Sequence, residues 1–135
     1  MKKIAFIFMF IMSMLFTTTV NAQTYYYRTT GFAIKYYNGY SWGDWSNWQQ
    51  SSMKMKIDLD NDIIVIYSNK TQIYKVIENS GTYTDESGGQ QVKFYIIDQD
   101  NDYGYIRLRI ERNGNSQIYV DFADVMWVYN VIRIQ

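Results

Sequence analysis

Alternation of apolar and polar side chains is the feature that most constrains this chain. Apolar residues occupy every second position in residues 53–59, 92–96, 106–110 and 118–122, with charged or polar residues between most of them. A period of two is that of a β-strand with one dry face and one wetter face, whereas a helix repeats every 3.6 residues. No segment beyond residue 22 shows a helical stripe. The chain is therefore predicted to be all-β.

Turn-forming pairs separate these stretches at short intervals, which predicts about eight strands near residues 25–37, 49–59, 62–68, 71–79, 90–98, 103–112, 116–122 and 125–134. Such short connections allow only antiparallel pairing of neighbours, so the topology is expected to be a meander. Closing the meander removes both exposed edges, and a small up-and-down barrel is the preferred arrangement. A flattened two-layer sandwich is the alternative, because residues 63–67 and 125–134 are apolar on both faces.

The N-terminus has the pattern of a cleavable export signal. Lys2 and Lys3 precede an apolar run over residues 4–16, and Val20-Asn21-Ala22 supplies a cleavage site. A run of 13 residues is too short for a membrane-spanning helix, which needs about 20. We expect residues 1–22 to be a signal peptide and residues 23–135 to form one domain, periplasmic or secreted by a bacterium. An outer-membrane barrel is disfavoured by the charged strand faces.

The residue types that are missing exclude several chemistries. The chain has no Cys, no His and no Pro. It therefore lacks disulfides, the usual zinc ligands and every nucleophile pair built on His. The predicted mature chain carries 11 basic and 13 acidic residues, a formal charge of −2, which argues against nucleic acid as a partner. No catalytic constellation stands out, so the protein is expected not to be an enzyme, with a carboxylate-based hydrolase as the remaining enzymatic alternative.

Three tryptophans at a spacing of three, Trp42, Trp45 and Trp48, follow Tyr40 in the segment after the first predicted strand. The spacing resembles the tryptophan row of thrombospondin type 1 repeats, in which arginines stack on the indoles. Arg107 and Arg109 lie on the wetter face of one strand and are expected to stack in the same way. Exposed tryptophans of this segment would instead bind a sugar or another flat ligand. These six residues, Tyr40, Trp42, Trp45, Trp48, Arg107 and Arg109, form the predicted ligand site.

Two acidic turns contain carboxylates of the kind that bind calcium. Residues 58–62 and 98–102 are rich in Asp and Asn, but the glycine and the final glutamate of an EF-hand loop are missing from both. Solvated hairpin ends explain them better. We expect no metal and no cofactor.

The C-terminal half of the sequence contains segments that resemble those of other proteins. Residues 117–122 and 126–131, together with residues 71–74, resemble a group of small, uncharacterised exported proteins of anaerobic Gram-negative bacteria. The meander itself is similar in architecture to the calycins, the lipocalin-like barrels. The first resemblance implies export and no particular activity. The second implies a barrel that can hold a ligand.

We therefore expect an exported, non-enzymatic β-barrel binding module. Its ligand is a small apolar molecule held inside, or else a glycan or an envelope protein bound at the tryptophan segment. The bulky residues Met53, Met55, Phe94, Phe122 and Trp127 would fill the interior in the second case. Outward-facing tyrosines grouped on adjacent strands would mark a binding face. The alternative is a structural or interaction subunit that pairs with another chain through an edge strand.

Overall fold

Alternating β-branched and aromatic residues form nine strands in the computed structural model, which describes residues 24–134. The predicted signal peptide lies outside the described residues. The strands are β1 Thr24–Tyr36, β2 Gln49–Gln50, β3 Lys54–Asp58, β4 Ile63–Tyr67, β5 Gln72–Thr84, β6 Gln90–Ile97, β7 Tyr103–Ile110, β8 Ser116–Asp121 and β9 Val125–Arg133.

Strands β1 and β3–β9 close into an eight-stranded antiparallel barrel with meander order, and β2 is an extra strand on β1. The closure is the pairing of β1 with β9, from Tyr27 opposite Arg133 to Tyr36 opposite Val125. The N-terminal part of β1, Thr24 to Arg28, pairs with β3. The predicted barrel is therefore confirmed, and the sandwich alternative is not formed.

The interior of the barrel is packed with large apolar side chains. Met55 and Phe94 are buried, while Met53, Phe122 and Trp127 pack against the buried core, as expected from the alternation. An eight-stranded barrel is just wide enough to be filled in this way. The buried core consists of Tyr27, Met55, Ile57, Ile64, Ile66, Tyr74, Val76, Phe94, Ile96, Ile106, Ile118, Val120, Tyr129 and Val131.

Three successive hairpins use one turn design, at Asp85–Gly89, Asp98–Asp102 and Glu111–Asn115. In each, the N–H of the first residue donates to the carbonyl of the fifth, and the N–H of the fourth donates to the carbonyl of the first. The fourth residue has a positive φ: Gly88 at 84°, Asn101 at 67° and Gly114 at 89°. A type I turn followed by one left-handed residue matches the twist of the flanking strands. These turns place β5 to β8 side by side in a fixed register.

The predicted strand at residues 49–59 is wrong as a single element. It is split into β2 and β3, with residues 51–53 between them. The hydroxyls of Ser51 and Thr29 hydrogen bond to each other, and the Met53 N–H donates to the Thr29 hydroxyl. The polar run Gln49-Gln50-Ser51-Ser52 has no apolar alternation to hold it in the barrel wall. It is held on β1 by the backbone pairing of β2 and by these hydroxyl contacts.

Candidate binding surface

The outer face of β6 to β9 and β1 carries regular rows of side chains, because the register places outward residues opposite one another. One row contains Lys93, Arg107, Tyr119, Val128 and Ala33, from β6 across to β1. Ala33 and Val128 point outward and are nevertheless only 1% and 3% exposed. Something must therefore cover this part of the wall.

The tryptophan segment provides that cover. The Ser46 N–H donates to the carbonyl of Ile34, and the Ser46 hydroxyl accepts from the Ile34 N–H, so the segment is fastened to β1 on both sides of one residue. Trp45 lies edge-on to Tyr119, with ring centroids 6.3 Å apart. Because Ile34 adjoins Ala33 and Tyr119 pairs with Val128, the segment between these contacts lies over the outward apolar pair.

A lysine holds the indoles in place. The Lys35 Nζ lies 4.6 Å from the centroid of the Trp45 ring and 5.5 Å from that of Trp42. Trp42 in turn contacts Tyr37, with centroids 5.5 Å apart. A cation over the face of an indole is attracted by the ring quadrupole. Lys35 thus contacts both indoles from the outer face of β1.

An open groove of about 620 Å³ lies beside Trp45, which we call the outer groove. It runs between the tryptophan segment and the hairpin at Asp85–Gly89, with the strands β6 to β8 as its floor. Aromatic, amide, hydroxyl and charged groups all contribute to it. Its lining residues are Lys35, Trp45, Asp85, Glu86, Ser87, Gln91, Arg107, Arg109, Tyr119 and Met126.

Arg107 is paired on two sides. Its Nε donates to Asp121 Oδ2 at 2.5 Å, and its Nη2 donates to Asp121 Oδ1 at 3.2 Å. The guanidinium carbon lies 4.2 Å from the Tyr119 ring centroid. Burial raises the pKa of Tyr119 above its ordinary value, so its hydroxyl stays protonated at neutral pH. The hydroxyl donates to Gln117.

Arg109 sits in a denser network. Its Nε donates to Asp85 Oδ2 at 2.8 Å, and its Nη1 donates to Glu111 Oε2 at 2.8 Å. Asp85 also accepts hydrogen bonds from the Gln91 amide and from the backbone of Ser87. The hydrogen bonds from Arg109 and Gln91 hold the pKa of Asp85 well below its ordinary value. This network fastens the Asp85–Gly89 hairpin to β6 and β7 at one end of the outer groove.

The six predicted site residues divide into two groups. Trp45, Arg107 and Arg109 line the outer groove, and Trp42 is joined to it through Lys35. Tyr40 is 93% exposed and does not line the outer groove, nor does Trp48, which lies near Gly31 of β1. The expected arginine–tryptophan stacking is replaced: the cation over the indoles is Lys35, and Arg107 stacks on a tyrosine.

A tyrosine cluster on the same outer face was not singled out from the sequence. Tyr95 stacks on Tyr103, with centroids 5.8 Å apart and an interplanar angle of 20°, and lies 5.2 Å from Tyr105. We call these three residues the tyrosine platform. The tyrosine platform could have been predicted from the register of the hairpin, because the turn at Asp98–Asp102 places Tyr95 directly opposite Tyr105. Grouped outward tyrosines on adjacent strands are the expected mark of a binding face.

One carboxylate of each acidic turn accepts hydrogen bonds from within the turn. Asp98 Oδ1 accepts from the N–H groups of Asp100 and Asp102, and Asp58 accepts from both the backbone and the side chain of Asn61. Within residues 24–134, no three acidic side chains are grouped as a metal-ligand set. Over the same residues, no helix has the length and apolarity to cross a membrane.

Comparison with protein-family models, curated proteins and solved structures finds no match for this chain. Of the two resemblances drawn from the sequence, the one to a meander barrel is supported as far as the eight-stranded antiparallel architecture. No family is identified.

Proposed function

We propose that this small β-barrel is an exported, non-enzymatic binding module that recognises a neutral carbohydrate in the outer groove. The observation that carries the proposal is Trp45: its indole is 38% exposed and stands beside amide, hydroxyl and charged groups. An aromatic face attracts the weakly positive C–H groups of a sugar ring, and the surrounding polar groups can bond its hydroxyls.

The two arginines of the outer groove are already paired, which favours a neutral ligand over an anion. Arg107 is paired with Asp121, and Arg109 is paired with both Asp85 and Glu111. A phosphate or nucleic acid would have to compete with these carboxylates for the guanidinium groups, and Glu86 in the groove would repel it. A sugar hydroxyl can both donate and accept, so it can join such a network without breaking the ion pairs.

The interior supports surface recognition over internal carriage of an apolar molecule. Four aromatic side chains, Tyr27, Tyr74, Phe94 and Tyr129, lie among the buried core residues, each 5% exposed or less. At one end Phe122 contacts Trp127 edge to face at 6.3 Å. A ligand entering the barrel would have to displace these packed rings, which are costly to expose.

The alternative of pairing through an edge strand finds less support. It requires an unpaired first or last strand, but β1 and β9 pair with each other. The C-terminal half of β5 has no register partner on β4, and its pairing with β6 is interrupted between Val76 and Glu78 and between Asn79 and Thr82. Such bulges twist an edge away from regular pairing.

Trp45→Ala and Trp48→Ala form a matched pair that tests the proposal. Both tryptophans belong to one segment, and both are partly exposed, but only Trp45 lines the outer groove. We expect calorimetric titration of the mature domain with cellobiose and N,N′-diacetylchitobiose to show binding of at least one disaccharide. Trp45→Ala should weaken that binding roughly tenfold or more, as loss of about 1.4 kcal/mol implies.

Trp48→Ala should leave the affinity unchanged. The melting temperatures of both variants show that the fold is retained. Equal loss in the two variants, or full binding by Trp45→Ala, would place the ligand elsewhere. If a ligand displaces an apolar dye from the interior of the wild-type barrel, the result would favour internal carriage of an apolar molecule instead.

A further inference from the structure

We infer that the carbohydrate is a linear oligosaccharide of several sugar units, which extends from Trp45 across β8 and β7 to the tyrosine platform. This inference rests on the proposed function. It adds that the outer groove is one end of a longer site. The tyrosine platform would then be the far end, with its own contribution to affinity.

The tyrosine platform is continuous with the outer groove through the strand register. Tyr105 on β7 is directly opposite Asp121 on β8, the carboxylate that holds Arg107. Two residues along the same strands, Arg107 is opposite Tyr119. The platform and the groove therefore share one wall, with the Arg107–Asp121 ion pair between them.

A lysine on β6 completes the connection. Lys93 is directly opposite Arg107, and its Nζ lies 4.0 Å from the centroid of the Tyr105 ring. It holds Tyr105 as Lys35 holds Trp45. We call the part of the outer wall from Trp45 to the tyrosine platform the strip. Each of its ends has a partly exposed aromatic ring with an ammonium group on one side: Tyr105 is 38% exposed and Trp45 is 38% exposed.

The length of the strip requires more than one sugar. Neighbouring strands lie about 4.8 Å apart, so the step from Tyr95 on β6 to Tyr119 on β8 covers roughly 10 Å. Trp45 lies a further 6.3 Å from Tyr119, on the side of β1. One six-membered sugar ring covers about one aromatic ring. Rings distributed over this distance can be used together only by a chain of linked sugars.

The test is a length series. Titration with cello-oligosaccharides and chito-oligosaccharides of one to six units should give an affinity that rises with length and then becomes constant once the strip is covered. Tyr103→Ala removes the most exposed ring of the tyrosine platform, which is 58% exposed. We expect it to weaken the longest ligand by roughly two- to tenfold, the value of one aromatic contact, and to leave the disaccharide unaffected.

Tyr67→Ala is the matched control, because Tyr67 is 42% exposed and lies on β4, outside the strip. It should change no affinity. If the affinity does not increase beyond two units, or if Tyr103→Ala leaves the longest ligand unaffected while Trp45→Ala still weakens disaccharide binding, the extended site is wrong and the outer groove stands. If no ligand of either series binds, both proposals fail.

Discussion

Lys35 shows how much one side chain determines at the candidate site. It leaves the outer face of β1 and places its ammonium over Trp42 and Trp45, which adds a cation contact to the Ser46–Ile34 hydrogen bonds that fasten the tryptophan segment to β1. Such contacts contribute about 0.5–1 kcal/mol each at exposed positions. The contribution to stability is modest, but the contribution to the orientation of Trp45 is direct.

Lys35→Ala is therefore expected to lower the free energy of unfolding by about 0.5–1 kcal/mol and to make Trp45 more accessible to acrylamide quenching. The control is Lys54→Ala, which removes a similar contact, 4.6 Å from the ring centroid of Tyr26, on another part of the barrel. That variant should lose similar stability without any change in quenching. Unchanged quenching in Lys35→Ala would show that the backbone alone positions the indole.

Buried tyrosines predict how the protein responds to alkali. Burial raises the pKa of Tyr129 to about 12, and burial also raises the pKa of Tyr74. A pKa raised in the folded state favours the protonated form, so this stability is complete below the unfolded pKa of about 10 and is lost as the pH rises through the folded value. Unfolding should therefore become easier between pH 10 and 12.

Absorbance of tyrosinate during a pH titration checks this expectation. Exposed tyrosines should ionise first, and a later, cooperative step should coincide with the loss of circular dichroism. Tyr129→Phe should make the loss of stability above pH 10 less steep. Ionisation of all 14 tyrosines in one early step, with the fold intact, would contradict the burial of these rings.

At the level of single residues, the sequence indicated the composition of the site better than its contacts. Alternation correctly placed Arg107 and Arg109 on the outer face, while a ligand site at the segment with Trp45 stays a prediction. The spacing of the tryptophans in the sequence could not show that Lys35 rather than an arginine faces the indoles, because this contact depends on how the tryptophan segment folds back over β1. The Asp85–Arg109 contact likewise joins residues 24 positions apart.

Hairpin connections determine which strands meet and in what register. Each five-residue turn from β5 to β8 needs a left-handed fourth residue, supplied by Gly88, Asn101 or Gly114. The tyrosine platform exists because the turn at Asp98–Asp102 brings Tyr95 opposite Tyr105. A slip of one residue in such a hairpin would turn the platform toward the interior.

Gly114→Ala measures the cost of one such turn. A Cβ there would meet nothing within 4 Å, so the penalty comes only from the left-handed backbone at a φ of 89°. We expect a loss of about 1–2 kcal/mol in the free energy of unfolding, measured by urea denaturation. Gly43→Ala, where φ is not left-handed and the nearest atom is 3.4 Å away, should change it much less. Equal effects would mean that the turn tolerates alanine.

Strands were predictable wherever alternation was unbroken. The predicted ends of the strands at residues 90–98, 103–112 and 116–122 differ from β6, β7 and β8 by two residues at most. Prediction failed where bulges interrupt the period. β5 continues to Thr84 instead of ending near residue 79, because irregularities after Val76 and Asn79 shift its register while its pairing with β6 continues. The sequence pattern of β5 alone cannot show that this strand continues to pair with β6 beyond residue 79.

Residues 24–134 form a closed wall around a packed interior, and the proposed recognition groups lie on its outer face. Opposite residues can be followed strand by strand once around the barrel, from Thr24 through Asp58, Ile63, Lys75, Ile97 and Tyr103. The path returns to the C-terminal end of β1, near Tyr36. The strands are therefore strongly tilted, as closure requires. The closed barrel was predictable because an eight-strand meander otherwise leaves two long edges exposed.

A packed interior predicts a steep cost for cavities. Ile96→Ala, at a position 0% exposed, should lower the free energy of unfolding by about 2–5 kcal/mol. Ile110→Ala is the same substitution at a position that is 43% exposed, and it should cost less than about 0.5 kcal/mol. Chemical denaturation measures both. A small loss in Ile96→Ala would indicate a loosely packed interior with room for a ligand.

Recognition on the outer wall can be tested by a two-dimensional NMR titration with cellohexaose. We expect recognition on the outer wall to change the chemical shifts of the Trp45 indole N–H and of the amides of Arg107 and Tyr119, and to leave the methyl groups of Ile96 and Ile118 unmoved. Changes concentrated at those interior methyl groups, with the Trp45 signal unaffected, would contradict it.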